Sequence, residues 1–142
     1  MAGKGGTLPG FSAPGLFGGT VTWSDYHGTP VVLVLWAPWC PDCREELPLV
    51  AQVAAAFPRA RVVSIVTAAG ELPGPSPEGF MRSHHLTFLV ALDATDGRLG
   101  DAFGVQGYPT IYYVRADGTV AQVTVGAVPE ATVRSAIQAI VE

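Results

Sequence analysis

The stretch from Val31 to Pro48 reads V-V-L-V-L-W-A-P-W-C-P-D-C-R-E-E-L-P, and it decides the fold of the chain. Its first six residues, up to Trp36, are apolar, rich in β-branched side chains, and enclosed by Pro30 and Pro38. A run of this length and composition is typical of a strand that is buried on both faces of a sheet. We therefore predict a buried central strand over residues 31–36.

After this strand the pattern becomes helical. Cys40 and Cys43 flank Pro41-Asp42, and apolar residues then recur at spacings of three and four as far as Phe57. Proline is well tolerated in the first turn of a helix, where its missing N–H would have no partner. The sequence thus places the cysteine pair at a junction between a strand and a helix that ends near Phe57.

A cysteine at the start of a helix has a chemical consequence. The first N–H groups of a helix have no intrahelical partner, and the aligned peptide dipoles place partial positive charge there. Both effects stabilise a thiolate at Cys40 and favour its nucleophilic form. Cys43 lies deeper in the helix, within reach of Cys40. One cysteine can therefore attack a disulfide, and the other can resolve the resulting mixed disulfide.

Three other interpretations of the pair compete with redox chemistry. A structural disulfide across so short a loop would restrain the unfolded chain by only about 2 kcal/mol. A zinc site needs about four ligands, and beyond the pair the chain offers only carboxylates and three histidines, His27, His84 and His85. Two unrelated core cysteines would not explain the strand-to-helix position. We predict a redox pair and no metal site.

Composition limits the size of the protein and the class of its partners. The 142 residues fit one domain with a sizeable core. A net charge of −4 argues against a surface for nucleic acid or anionic membrane. No apolar run approaches the roughly 18 residues needed to cross a bilayer, and no signal-peptide segment follows the first residues. Residues 1–6 are expected to be a cloning remnant, with any native targeting segment absent.

The remaining chain alternates strand and helix patterns. We expect an irregular arm over residues 1–19, with a hairpin that begins near Phe11, and a single domain over residues 20–142. Asp96 is expected to cap a short helix, and Asp117-Gly118 to turn the last hairpin. Strands are predicted at residues 20–23, 61–66, 88–92, 111–115 and 119–125, and helices after Ser76, at 98–103 and at 129–141. This order predicts an α/β fold with a mixed sheet between helices.

The run W-A-P-W-C-P-D-C-R-E-E-L-P, followed by G-Y-P-T at residues 107–110 and then a D-G hairpin, resembles the thioredoxin superfamily. More narrowly, it is similar to the TlpA/ResA/CcmG-like thiol-disulfide oxidoreductases that act outside the bacterial cytoplasm. The likeness covers nearly the whole chain, including the N-terminal hairpin and an inserted strand-helix element around residues 73–92. It implies a thioredoxin-like three-layer sandwich with a mixed central sheet.

The resemblance also implies roles for single residues. Pro109 would be cis and lie against the cysteine pair, and the backbone of Tyr108 would pair with an extended substrate segment. Trp39 and Pro41 would complete the substrate-binding surface. Plain thioredoxin has a buried aspartate at the position of Val34, so here the proton acceptor for the second cysteine must be another residue.

In the narrower branch this acceptor is a glutamate three residues after the second cysteine, which corresponds to Glu46. Helical spacing supports the assignment, because residues three apart share one face of a helix. We therefore expect Glu46 to be catalytic together with Cys40 and Cys43. The alternative is that Glu46 is a solvated acid like its neighbour Glu45.

The resemblance implies a dithiol-disulfide oxidoreductase with no cofactor beyond the redox-active Cys40–Cys43 disulfide. Its partners would be a protein thiol or disulfide substrate and a dithiol electron donor, and we expect a monomer. The negative charge of Asp42 opposes the thiolate and favours a reductase, of the kind that serves cytochrome c maturation. An extracytoplasmic location is expected, with a native membrane anchor and a cytoplasmic location left open.

Two other functions stay open. A peroxiredoxin-type peroxidase would want a threonine three residues before its reactive cysteine, where this chain has Ala37. A copper-delivering module on the same fold would want a wider cysteine spacing and a downstream histidine. His84 or His85 could serve only if it folds back to the pair.

Overall fold

The computed structural model describes residues 3–142 of the chain. Its strands are β1 (Ser12–Pro14), β2 (Thr20–Thr22), β3 (Val31–Trp36), β4 (Arg61–Val66), β5 (Leu89–Leu92), β6 (Thr110–Val114) and β7 (Val120–Val125). Its α-helices are α1 (Pro41–Ala54), α2 (Pro77–Ser83), α3 (Arg98–Phe103) and α4 (Glu130–Val141), and a 3-10 helix spans Trp23–Tyr26.

The central sheet has five strands in the order β5-β4-β3-β6-β7. Strands β3, β4 and β5 are parallel, whereas β6 is antiparallel to both β3 and β7. A separate antiparallel hairpin, β1–β2, precedes the sheet. The predicted mixed sheet with an N-terminal hairpin is confirmed, and so is the thioredoxin-like architecture.

Strand β3 lies at the centre of the sheet, and all six of its side chains are buried. On one face, side chains such as Trp36 pack against α1, α2 and α4. On the other face, side chains such as Leu35 pack against α3 and the N-terminal segment. Burial on both faces is the physical reason for the continuous apolar run that the sequence shows.

The N-terminal segment is more ordered than the irregular arm predicted for residues 1–19. Strand β1 lies within it, and both Leu8 and Phe11 are buried in the core. These apolar side chains pack onto the face that α3 covers, which holds the segment on the domain. The hairpin beginning near Phe11 is confirmed.

The first residues also contact the sheet. The N–H of Gly5 donates to the carbonyl of Val120 at 2.8 Å, and the N–H of Val120 donates to the carbonyl of Gly6 at 2.9 Å. Within residues 1–6, predicted to be a cloning remnant, Gly5 and Gly6 are thus paired with β7. Met1 and Ala2 lie outside the described residues.

Helix α1 ends at Ala54, three positions before the predicted end at Phe57. The helical conformation is disfavoured for a residue directly before a proline, and Phe57 precedes Pro58. The chain instead leaves the helix through tight turns, with the N–H of Phe57 donating to the carbonyl of Ala54 at 2.8 Å.

The predicted cap of α3 was wrong. The N-cap is Gly97, whose φ of +74° is in the left-handed region that glycine adopts without strain. Asp96 accepts from the N–H of Arg98 at 3.2 Å and pairs with the guanidinium of that residue. The orphan N–H groups of the first turn donate to Asp93 instead, as described below. In contrast, α2 begins directly after Ser76, as predicted, and the N–H of Gly79 donates to the Ser76 hydroxyl at 3.0 Å.

No helix within residues 3–142 combines the length and the apolar character that crossing a bilayer requires.

Candidate active site

The cysteine pair lies at the junction of β3 and α1, as predicted. Cys40 is the N-cap of the helix and Pro41 is its first residue. The Sγ atom of Cys40 accepts a hydrogen bond from the backbone N–H of Cys43 at 3.1 Å. The sulfur therefore occupies the position where helical N–H groups and the helix dipole stabilise negative charge.

The two thiols have different environments. Both are free thiols, and Cys40 keeps 5% exposure whereas Cys43 has none. Burial raises the pKa of the Cys43 thiol, and its contact with Cys40 raises it further. Cys40 is therefore the sulfur that a substrate can reach, and Cys43 needs help to lose its proton.

A loop with a cis peptide bond packs against the first cysteine. The Tyr108–Pro109 bond is cis, as the resemblance implied. The thiol of Cys40 lies 3.6 Å from the carbonyl oxygen of Tyr108, as a donor to it. The carbonyl of Pro109 accepts from the N–H of Gly126 at 2.9 Å, which ties the loop to the end of β7. The structure thus brings Cys40, Tyr108 and Pro109 together.

Trp39 lies between the cysteine pair and the loop that follows β4. Its indole N–H donates to the carbonyl of Ala68 at 2.6 Å, and its ring meets the ring of Tyr108 edge-on at 5.7 Å. A Cβ atom at Gly74 would lie 2.7 Å from the Cα of Trp39, so the loop approaches too closely for any other residue there. Pro41 is exposed at the start of the helix. These side chains surround Cys40.

Glu46 is buried, with 1% exposure, whereas Glu45 is exposed. The alternative that Glu46 is a solvated acid is therefore wrong. Its carboxylate accepts from the N–H of Val128 at 2.9 Å. Burial raises the pKa of Glu46, and the Val128 hydrogen bond opposes this shift. Glu46 shares the buried face of α1 with Cys43, but no direct hydrogen bond joins the two within the described part of the chain.

The residues around Tyr108 include several that sequence reasoning missed. A cavity of about 510 Å³ lies beside Tyr108, between residues 66–71 and 92–97. On its wall, the Thr67 hydroxyl donates to the carboxylate of Asp93 at 2.7 Å. Thr67 directly follows β4 and Asp93 directly follows β5. Since the carboxyl ends of parallel strands meet at one edge of a sheet, this placement could have identified the pair.

The histidines lie elsewhere on the surface. His84 and His85 are exposed at the end of α2, where the ring of His84 packs in a tilted arrangement against Phe80 at a centroid distance of 4.5 Å. Among residues 3–142, no group of three or more histidine, cysteine, aspartate or glutamate side chains is arranged to hold a metal ion.

Comparison with known proteins gives a consistent family. The redoxin family matches residues 3–140. The chain is 37% identical over 109 residues to the soluble secreted antigen MPT53 of Mycobacterium tuberculosis, which covers 77% of this chain but only 61% of that protein. It is 30% identical over 130 residues to the thiol-disulfide oxidoreductase ResA of Bacillus subtilis, covering 92% of this chain and 72% of ResA.

A solved structure agrees over the full length. A Chlorobium tepidum protein described as a thiol:disulfide interchange protein of the DsbE type superposes with a TM-score of 0.86. The two are 30% identical, and the match covers 100% of both chains. This chain therefore belongs to the redoxin family and, within it, to the thioredoxin-fold thiol-disulfide oxidoreductases of the ResA and DsbE type.

Proposed function

We propose that the protein exchanges thiols and disulfides with protein substrates through a Cys40–Cys43 couple. The Cys40 thiolate attacks one sulfur of a substrate disulfide, and the other substrate sulfur leaves and takes up a proton. Cys43 then loses its proton and attacks Cys40 in the mixed disulfide, which releases the second substrate thiol. The substrate gains two electrons and two protons, and the protein is left with a Cys40–Cys43 disulfide that a dithiol donor reduces.

One observation carries this proposal. The Sγ atom of Cys40 lies within hydrogen-bonding distance of the Cys43 N–H, at 3.1 Å, and of the Tyr108 carbonyl, at 3.6 Å. The first contact stabilises the thiolate that must attack. The second places the backbone of Tyr108, beside cis-Pro109, where an extended substrate segment can form main-chain hydrogen bonds next to the reacting sulfur. Trp39 and Pro41 border the same opening.

Glu46 is the proposed proton acceptor for Cys43. A buried thiol resists ionisation because desolvation disfavours its charged form. A buried carboxyl with a raised pKa is better matched to proton transfer near neutral pH than a solvated one. Glu46 and Cys43 lie on the same buried face of α1, and the proton would pass from the thiol to the carboxylate directly or through water.

The direction, location and partners are part of the same proposal. The negative charge of Asp42, which lies between the two cysteines in sequence, opposes the thiolate by like-charge repulsion and so favours a reducing couple and hence a protein disulfide reductase. One of the relatives is a soluble secreted antigen, which supports an extracytoplasmic site of action. We propose a monomer that needs a dithiol electron donor and no cofactor beyond the cysteine pair.

Turnover of insulin disulfides tests the function. The wild type should reduce insulin when dithiothreitol supplies electrons, and Cys40→Ser should have no activity above the uncatalysed rate. Cys43→Ser should form mixed disulfides but not turn over. Consumption of hydrogen peroxide at a rate exceeding insulin reduction would instead support the peroxidase alternative, and full insulin activity in Cys40→Ser would refute the proposed couple.

A further inference from the structure

We propose that Asp93 is a positioning residue of the redox site, which holds Trp39 in place through Thr67 and Ala68. This inference rests on the proposed role of Trp39 and Tyr108 in substrate binding. Asp93 touches neither cysteine, so its effect is transmitted through the turn that follows β4.

Asp93 is the acceptor for three donors from two elements. Its Oδ2 atom accepts from the Thr67 hydroxyl at 2.7 Å and from the N–H of Gly100 at 3.0 Å, and its Oδ1 atom accepts from the N–H of Leu99 at 2.9 Å. Only a carboxylate offers acceptors on both oxygens without a donor. Asp93 therefore joins the end of β4 to the first turn of α3.

Thr67 is packed tightly at this junction. It is 2% exposed, and a Cβ atom added at Gly100 would lie 2.8 Å from its hydroxyl oxygen. Its own N–H donates to the carbonyl of Trp36 at 2.9 Å, so both its backbone and its side chain are fixed. The Thr67 hydroxyl can turn only toward Asp93 without losing a buried hydrogen bond.

Ala68 connects Thr67 to the redox site. Its φ is +57°, a left-handed conformation that is strained for a residue with a Cβ atom and persists only where its surroundings hold it. In this conformation its carbonyl accepts from the indole N–H of Trp39 at 2.6 Å. The turn is therefore held on one side by Asp93 through Thr67 and on the other side by Trp39.

The last contacts connect Trp39 to the proposed substrate-binding surface. The ring of Trp39 packs edge-on against Tyr108 at 5.7 Å, and Tyr108 presents its carbonyl to Cys40. The side chain of Tyr108 also borders the cavity that Thr67 and Asp93 line. Loss of the Asp93 carboxylate would therefore loosen both aromatic residues while leaving the sulfur atoms in place.

The test compares Asp93→Asn with Asp96→Asn. The asparagine is isosteric, but its NH₂ group must face a donor in this site. Asp96 is an exposed neighbour whose side chain, among residues 3–142, bonds only Arg98. The readout is hydrogen exchange of the Trp39 indole N–H, assigned by its loss in Trp39→Phe. We expect exchange about tenfold faster in Asp93→Asn and unchanged in Asp96→Asn, from the loss of a charged hydrogen-bond acceptor.

The backbone amide of Val34 in β3 serves as an internal standard for global stability. If Asp93 positions Trp39, Asp93→Asn should accelerate hydrogen exchange of the Trp39 indole N–H more than exchange of the Val34 amide. Equal acceleration at both sites, or none at Trp39, would overturn the proposal. If Asp93→Asn does not fold, Thr67→Val gives the same comparison, and Thr67→Ser, which keeps the hydroxyl, should restore slow exchange.

Kinetics separate this inference from the proposed function. In Asp93→Asn the KM for insulin should rise about tenfold, with kcat and the rate of reaction with the small disulfide DTNB changed less than twofold. Equal slowing with insulin and DTNB would contradict a positioning role. A wild type that does not reduce insulin would refute the proposed function, and the indole exchange would still decide the role of Asp93.

Discussion

The carboxylate of Glu46 and the backbone N–H of Val128 lie 2.9 Å apart, although 82 positions separate the two residues in the chain. The hydrogen bond links α1, one turn beyond Cys43, to the segment between β7 and α4. The same segment supports the cis-proline loop, because the N–H of Gly126 donates to the carbonyl of Pro109. The acid proposed to take the proton of Cys43 is thus also connected to the proposed substrate-binding loop.

Replacement of Glu46 tests its role in proton transfer. Glu46→Gln keeps the side-chain size and an acceptor for the Val128 N–H but removes the base. Since positioned general bases contribute about 10²–10⁴-fold, resolution of the mixed disulfide should slow by well over tenfold near pH 7. Rapid-quench measurement of the mixed disulfide formed with a peptide substrate gives this rate, and one ionisation should disappear from the pH–rate profile of the coupled pair.

The control is Glu45→Gln, which removes the same charge from an exposed position next in sequence. It should resolve the mixed disulfide at the wild-type rate. If Glu46→Gln is also unchanged in rate and pH profile, proton transfer from Cys43 goes to water and the catalytic assignment of Glu46 fails.

The same residue makes a prediction about stability and pH. Burial raises the pKa of Glu46 above its ordinary value of 4.5. At a pH between 4.5 and the raised pKa, the folded state binds more protons than the unfolded state. The free energy of unfolding therefore falls as the pH rises through this range. The stabilising contribution is complete below pH 4.5 and lost as the pH passes the raised pKa.

Glu46→Gln lacks this ionisation, so its stability relative to the wild type should increase between pH 4 and pH 8. Urea unfolding of both reduced proteins across this pH range measures the difference. A difference that stays constant with pH would show that the folded protein does not perturb Glu46.

The asymmetry of the cysteines predicts selective alkylation. Cys40 lies at the helix N-terminus and is the less buried of the two residues, whereas burial raises the pKa of Cys43. Iodoacetamide at pH 7 should modify Cys40 at least tenfold faster than Cys43 in the reduced protein, as read by peptide mass spectrometry. A Cys43→Ser variant should accumulate mixed disulfides through Cys40, and equal trapping by Cys40→Ser would reverse the assigned roles.

Metal titration tests the copper-delivery alternative. His84 and His85 lie at the end of α2 and line a groove with α1 residues such as Gln52. Reduced protein titrated with Cu(I) or zinc should bind no more tightly than a free dithiol of the same spacing, and His84→Ala should not change the affinity. A stoichiometric site that is lost in His84→Ala or His85→Ala would favour the copper-binding function.

Local sequence patterns predicted the core of the fold well. The continuous apolar run ending at Trp36 and the helical spacing after Cys43 are both patterns that burial imposes directly on neighbouring residues. The bounds of β3 and β4 were therefore correct. The resemblance added the cis bond at Pro109, which no local pattern specifies.

Contacts between distant segments could not be predicted in this way. The partner of Glu46 is a backbone N–H at Val128, and the partner of Trp39 is a backbone carbonyl at Ala68. Nearly every residue type has the same backbone N–H and carbonyl groups, so no sequence motif indicates either contact. Asp93 was missed for a related reason, since its carboxylate caps α3 across an intervening turn and the nearer Asp96 seemed the better cap.

The reduction potential of the Cys40–Cys43 couple tests the central claim most directly. The protein is equilibrated with mixtures of oxidised and reduced dithiothreitol and then quenched with acid. Mass spectrometry gives the fraction of the Cys40–Cys43 disulfide at each ratio of oxidised to reduced dithiothreitol. The account predicts one reversible two-electron transition near that of thioredoxin, about −270 mV, which is absent in Cys40→Ser and in Cys43→Ser. A potential near −120 mV, typical of a strong oxidant, or the absence of any reversible transition would contradict it.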